Sequence, residues 1–176
     1  MSLAKSIPLK SDWPFYFSTS VVINAPRQQV WDVLLHFGGH KSWNPFIREA
    51  TPVLDRSQTP LPTGTALAPG HHIAMKVHIP GTMDDSVKPR AMIELVKQVE
   101  APSQLAWGSH LPGWFFGAEN WHVLTELEGG AKTKFEIVAV FKGVGPRVMM
   151  WTMDGAILDE TIKGMAEGLK RVCEQR

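Results

Sequence analysis

The chain has 176 residues, 44% of them hydrophobic and 20% charged, with eighteen basic side chains against seventeen acidic ones. That balance suits one globular domain and excludes both a disordered polymer and a surface built from excess Lys and Arg, so nucleic acid is not an expected partner. The single cysteine, Cys173, rules out an internal disulfide, and no charged start followed by a long apolar run marks a signal peptide or membrane span; a cytoplasmic protein is the expectation.

Residues 1–14 carry Pro8 and Pro14, show no sustained period and read as an N-terminal arm ahead of a single domain over 15–176. Phe15 to Ile23 fits a first strand. Asn24 and Pro26 supply a cap and first turn for a helix in which Val30, Trp31, Leu34 and Phe37 recur at helical spacing, and Gly38-Gly39 ends it. A second short helical turn around Lys41–Trp43 stops before Asn44-Pro45, because the residue preceding proline is pushed out of the helical region.

Strands are then predicted over Phe46–Leu54, His71–Ile79, Ala91–Val99, Gln104–His110, Asn120–Leu127 and Thr133–Phe141. Turns fall at Pro62-Thr63-Gly64, Pro80-Gly81 and Pro112-Gly113, and Glu128-Gly129-Gly130-Ala131 is the clearest hairpin signal. Gly145 to Arg176 reads as one long helix, with Trp151, Leu158, Ile162, Met165, Leu169 and Val172 along one stripe and Glu160–Lys163 and Glu167–Arg171 spaced to pair. Such a helix spans about 45 Å, more than a small core needs unless a sheet wraps along it. Clustered strands followed by one helix predict an α+β fold with an antiparallel sheet rather than repeated βαβ units.

Three ordered groups of residues carry a family resemblance. The first is Ile23-Asn24-Ala25-Pro26 with Val30-Trp31, Leu34, Phe37 and Trp43-Asn44-Pro45-Phe46. The second runs from Leu105-x-Trp107 through Pro112-Gly113, Phe116-x-Gly, Leu124, Gly130 and Thr133-x-Phe135 to Phe141-x-Gly143, and the third is Leu169-Lys170 with Glu174. In order and spacing the set resembles the SRPBCC or START-like superfamily of helix-grip proteins, which includes polyketide cyclases and the birch-pollen allergen type. The resemblance implies a curved antiparallel sheet of about seven strands gripping the C-terminal helix, two small helices after the first strand, and an elongated apolar cavity between helix and sheet.

Candidate site residues follow from residue type. Among the seven tryptophans, Trp43 follows the Gly-Gly break while Trp107, Trp114 and Trp121 fall near the implied cavity mouth, and aromatic walls with few polar groups suit a small-molecule pocket. Trp43, Trp107, Trp121 and Met75 are the expected walls. Asn120, His122 and Leu124 alternate along one strand face, which the resemblance implies points into the cavity, and His110 ends the strand before it, so Asn120, His122 and His110 are candidate polar anchors. A one-residue slip would instead turn Glu119, Trp121 and Val123 inward.

Several chemistries are set aside. Gly143-Val144-Gly145-Pro146 places Val148 where a dinucleotide fingerprint needs its third glycine, and too little chain remains for the βαβ unit. His36 and His40 have zinc-pair spacing but a Gly-Gly break between them, and His71, His72 and His78 lack companion ligands, so no metal is expected. Gly108-Ser109-His110 lacks the nucleophile elbow, Cys173 has no adjacent histidine, and Asp154 reads as a first-turn acid. The expectation is a cofactor-free binder of a hydrophobic small molecule, such as a lipid, polyketide or aromatic metabolite. A cyclase- or dehydratase-like enzyme in which His122 or His110 moves a proton, and a protein-binding module resembling chaperone activators, are the alternatives.

Overall fold

Along each strand successive side chains point to opposite sides, so a sheet that buries one side of a helix must keep its apolar residues in register from strand to strand. The computed structural model describes residues 6–175 and shows seven strands so aligned, with bulges after Ile47 and Val96 where the pairing shifts. They are β1 (Phe15–Ile23), β2 (Ile47–Val53), β3 (His72–Val77), β4 (Arg90–Glu100), β5 (Gln104–Gly108), β6 (Gly117–Leu127) and β7 (Lys132–Lys142). They form one curved antiparallel sheet in the order β1-β7-β6-β5-β4-β3-β2. Helices α1 (Arg27–Leu35), α2 (Gly113–Phe116), α3 (Val144–Thr152) and α4 (Gly155–Glu174) complete it. This is the α+β helix-grip arrangement implied by the resemblance.

The main core lies between the sheet and α4. Leu105, Trp107, Leu124, Phe135 and Ile137 come from the sheet, and Leu158, Ile162, Met165 and Leu169 from one stripe of α4. Polar contacts fix the helix near both ends. Thr161 Oγ1 accepts the Gly81 N–H at 3.0 Å, Lys170 Nζ donates to the Val22 carbonyl at 2.6 Å, and Glu174 Oε1 accepts the Asn24 N–H at 2.8 Å.

The predicted single helix over 145–176 is two helices. Thr152 turns its hydroxyl back onto the Val148 and Met149 carbonyls, Met153 is extended, and the Asp154 carboxylate accepts the Ala156 N–H at 2.9 Å as the cap of α4. Asp154 is therefore a capping acid. Trp151 falls on α3 and points to solvent, so it leaves the buried stripe, while Arg176 lies outside the described residues. Lys170 pairs with Glu174 at 2.7 Å, and among the described residues neither Glu160–Lys163 nor Glu167–Arg171 closes.

Other boundaries shift for local reasons. The first helix ends at Leu35, and a 3-10 turn over Phe37–Ser42 carries straight through Gly38-Gly39. β6 begins at Gly117 because Gly117 and Ala118 already pair with Lys142 and Phe141 of β7. The Pro112-Gly113 turn continues as α2. Residues 1–5 of the arm lie outside the described residues; beyond them Ile7 and Trp13 pack against the side of the sheet away from α4.

Two glycines of α4 sit where backbone approaches backbone. A Cβ on Gly168 would overlap the Trp43 carbonyl oxygen, and one on Gly164 would come within 3.1 Å of Pro45 Cγ. The close approach is to the Trp43–Pro45 segment rather than to the sheet. Helix propensity alone would have Gly168→Ala stabilise α4 by about 1 kcal/mol. The overlap predicts the opposite: chemical denaturation should show Gly168→Ala less stable than wild type by roughly 2 kcal/mol.

Candidate functional site

The strand pairings decide what faces α4. Leu124 of β6 belongs to the core beneath α4 and Trp121 to a second cluster on the opposite side, so the alternation puts Asn120 and His122 on the helix-facing side. Trp107 lies directly across from Asn120, Leu105 across from His122, and Val96 across from Trp107. Of the residues picked from sequence, Asn120, His122, Trp107, Met75 and Trp43 thus belong to the helix-facing side of the molecule. Trp43 is packed in the main core with its ring edge-on to His40 at 4.7 Å.

Trp121 and His110 do not join them. Period-two alternation sends Trp121, a neighbour of both Asn120 and His122, to the far side, where its ring packs with Ala106, Val138 and Val140 beneath Ile7, Trp13 and Tyr16. Its indole N–H donates to Glu119 Oε2 at 3.0 Å, and Lys97 Nζ meets Glu119 Oε1 at 3.0 Å. It seats the N-terminal arm and is not a wall of a helix-side site. His110 follows β5, which stops at Gly108, and borders a far-side groove of about 760 Å³ with Arg56, Lys76 and Ile93. Burial first, then the Arg56 and His72 charges, hold its imidazole below the ordinary pKa. Met75 sits in the main core and also borders the floor of this groove.

His122 is the centre of the helix-side group. Only 2% exposed, it lies between Trp107, at 4.3 Å between ring centroids, and Phe135, stacked at 5.9 Å. Neither of its ring nitrogens has a hydrogen-bond partner among the described residues. Burial, reinforced by the nearby His40, lowers its pKa to about 3, so the ring stays neutral, able to donate through one nitrogen and accept through the other.

A second polar group, unforeseen from sequence, shares this side. Glu94 of β4 stands opposite Ile73 and two residues before Val96, is 5% exposed, and has no partner for Oε2 among the described residues. Burial raises its pKa to about 7 against the opposing pull of Lys97. The strand reads Met92-Ile93-Glu94-Leu95-Val96, apolar on both faces, so alternation could not say which side the carboxylate joins. Half-buried Phe17, Phe141, Met150 and Met153 fringe the main core, and Asn120 is itself half-buried. The result is an apolar, aromatic-lined face with three hydrogen-bonding side chains, of which two are buried with unsatisfied atoms.

A curved antiparallel sheet gripping a long C-terminal helix is a START-like fold. The chain belongs to the family described as polyketide cyclase / dehydrase and lipid transport, whose model matches residues 14–174. No curated protein sequence matches it. Among solved structures it is similar to a START superfamily protein from Mycobacterium smegmatis (17% identity, 91% of this chain and 97% of that one, TM-score 0.61). It is also similar to the Zhui aromatase/cyclase from Streptomyces sp. R1128 (13% identity, 92% and 94% coverage, TM-score 0.63). A hypothetical protein from Helicobacter pylori matches with 11% identity over 98% of this chain and 99% of that one, TM-score 0.64. At these identities the likeness is one of fold.

The buried pair predicts opposed pH dependences. Glu94 keeps its proton in the folded state from its ordinary value of 4.5 up to about 7, so its contribution favours folding below pH 4.5 and is lost as pH rises through that window. His122 does the reverse: its stabilising neutral form is fully present above 6.5 and is lost as pH falls towards about 3. Glu94→Gln should therefore match wild type near pH 4 and exceed it near pH 8 by on the order of 3 kcal/mol. Denaturant titrations of both proteins across that range measure it, and a constant difference would contradict the burial of an ionisable carboxyl.

Proposed function

We propose that this protein binds a hydrophobic small molecule carrying a hydrogen-bonding group, held on the helix-facing side of the sheet. The observation that carries this reading is His122, a neutral imidazole buried between two aromatic rings with both nitrogens unpartnered among the described residues. A buried polar group left unpaired costs about 1–3 kcal/mol, which a ligand hydroxyl or carbonyl would offset. Trp107 and Met75 supply apolar wall, and Asn120, half-buried across from Trp107, is a further anchor nearer the margin. Membership of a family that includes lipid transport, and the likeness in fold to an aromatase/cyclase, support an apolar ligand class.

One observation favours a second reading, proton transfer on the bound molecule. It concerns Glu94 rather than a histidine. A carboxyl titrating at about 7 exchanges protons readily near neutrality, whereas His122 at about 3 does not take one up, and His110 lies on the other side of the sheet. In this reading Glu94 is the acid or base and His122 the orienting hydrogen-bond partner.

Native mass spectrometry of freshly purified protein should show a retained apolar molecule, and the recovered molecule can then be titrated back. His122→Phe keeps the stack on Trp107 and Phe135 but removes both nitrogens, so it should weaken binding by about five- to a hundredfold. Equal affinity in wild type, His122→Phe and Asn120→Ala would end the proposal. For the second reading, Glu94→Gln should retain binding and lose turnover of the bound molecule; unchanged turnover would exclude Glu94.

A further inference from the structure

The short helix α3 presents apolar residues to solvent. Val144, Val148 and Trp151, spaced i, i+4 and i+7 along one side, are 56%, 57% and 88% exposed, while Pro146 is buried and Met149 and Met150 are half-buried. Beside it α2 exposes Trp114 (74%) and Phe115 (45%), whose rings meet edge-on at 5.8 Å. Leu111, just before α2, is exposed as well.

Glycine joins these two helices into one surface. Gly143 has φ 100°, and a Cβ there would come within 2.8 Å of the carbonyl oxygens of Gly113, Trp114 and Phe115. A Cβ on Gly145 would meet the Phe116 ring at 2.6 Å. Only glycine permits both the left-handed turn and this approach, so α2 is held against the start of α3 by backbone contact. Monomeric proteins seldom leave so many large apolar side chains together without a use.

Charge narrows the choice of partner. Segments 101–118 and 137–153, which contain the whole surface, have no Asp or Glu, and carry the exposed cation Arg147, while Lys142 Nζ lies over the Trp13 ring at 4.3 Å. The acid that follows, Asp154, is turned into its capping hydrogen bond with Ala156. A second copy of the chain docked symmetrically here would set Arg147 against its own copy with no acid of these segments to pair it. Anionic headgroups supply the missing charge.

We infer that the α2–α3 surface docks on the interfacial zone of a lipid bilayer containing anionic lipids. Trp114 and Trp151 sit at headgroup depth, Phe115, Val144 and Val148 reach the acyl boundary, and Arg147 meets lipid phosphates. The contact is peripheral: no helix among the described residues is long and apolar enough to cross a membrane. It stands on this surface alone and does not depend on what the helix-facing side binds.

The test is flotation of the full chain with vesicles of phosphatidylcholine mixed with phosphatidylglycerol, against phosphatidylcholine alone, at low and high salt. Binding should favour the anionic vesicles and fall as salt rises. Arg147→Ala should weaken it about fivefold, and the double variant Trp114→Ala/Trp151→Ala by on the order of tenfold or more. Wild type, Arg147→Ala and the double variant should melt together, because the side chains removed are exposed. Failure to float with either vesicle, or equal flotation of wild type and the double variant, overturns the inference. So does a self-associated or protein-bound form abolished by the double variant without any vesicle binding.

Discussion

Everything in this structure depends on a sheet whose two sides are both committed. Burying the α4 stripe of Leu158, Ile162, Met165 and Leu169 requires Leu105, Trp107, Leu124, Phe135 and Ile137 to face one way. The side chains between them must face the other, and there Ala106, Trp121, Val138 and Val140 find cover under the N-terminal arm. With both faces of β6 occupied, a shift of one residue would exchange Trp121 for His122 and place an indole against α4. Register is therefore held from two sides at once. The hydrogen bonds of Thr161, Lys170 and Glu174 to Gly81, Val22 and Asn24 set the axial position of the helix over that register.

Against such packing, the polar side chains on the helix side stand out energetically. An apolar residue at position 94 or 122 would avoid the desolvation that moves Glu94 up to about 7 and His122 down to about 3. The two shifts have opposite sign and one physical origin, since burial disfavours whichever form carries charge. Glu94 and His122 are consequently both largely uncharged near pH 6, with hydrogen-bonding capacity in place and no charge of their own to repel an apolar molecule. Such an arrangement suits recognition of a mostly hydrophobic compound through a small number of directed contacts.

The outer edge shows the converse, apolar groups where water reaches them. Gly143 and Gly145 bring α2 against α3 and leave tryptophan, phenylalanine and valine exposed beside Arg147. The half-buried Met150, on α3, and Met153, just after it, pack against the main core. Surface and interior thus meet through the same short stretch of chain, at the break between α3 and α4 capped by Asp154.

Most of the architecture was legible from local pattern. Strand alternation, the Gly129-Gly130 hairpin and the stripe of α4 each depend on residues close along the chain; their order predicted an antiparallel sheet followed by a long helix, and the resemblance of three residue groups implied the START-like fold. Sequence spacing also put Asn120 and His122 on one side together. What it could not separate were choices decided by distant contacts. Trp121 and His122 are equally apolar-compatible neighbours, and only the arm packing on the far side shows that the indole belongs there. Glu94 lies in a strand apolar on both faces, so its side was settled by pairing with Ile73 and by the core beneath it. Likewise the exposed position of Trp151 follows from the break at Met153-Asp154, which frees α3 from the axis of α4. Periodicity reports how a segment divides its two faces; which face meets the core is determined by the segments that fold over it, and those come from elsewhere in the chain.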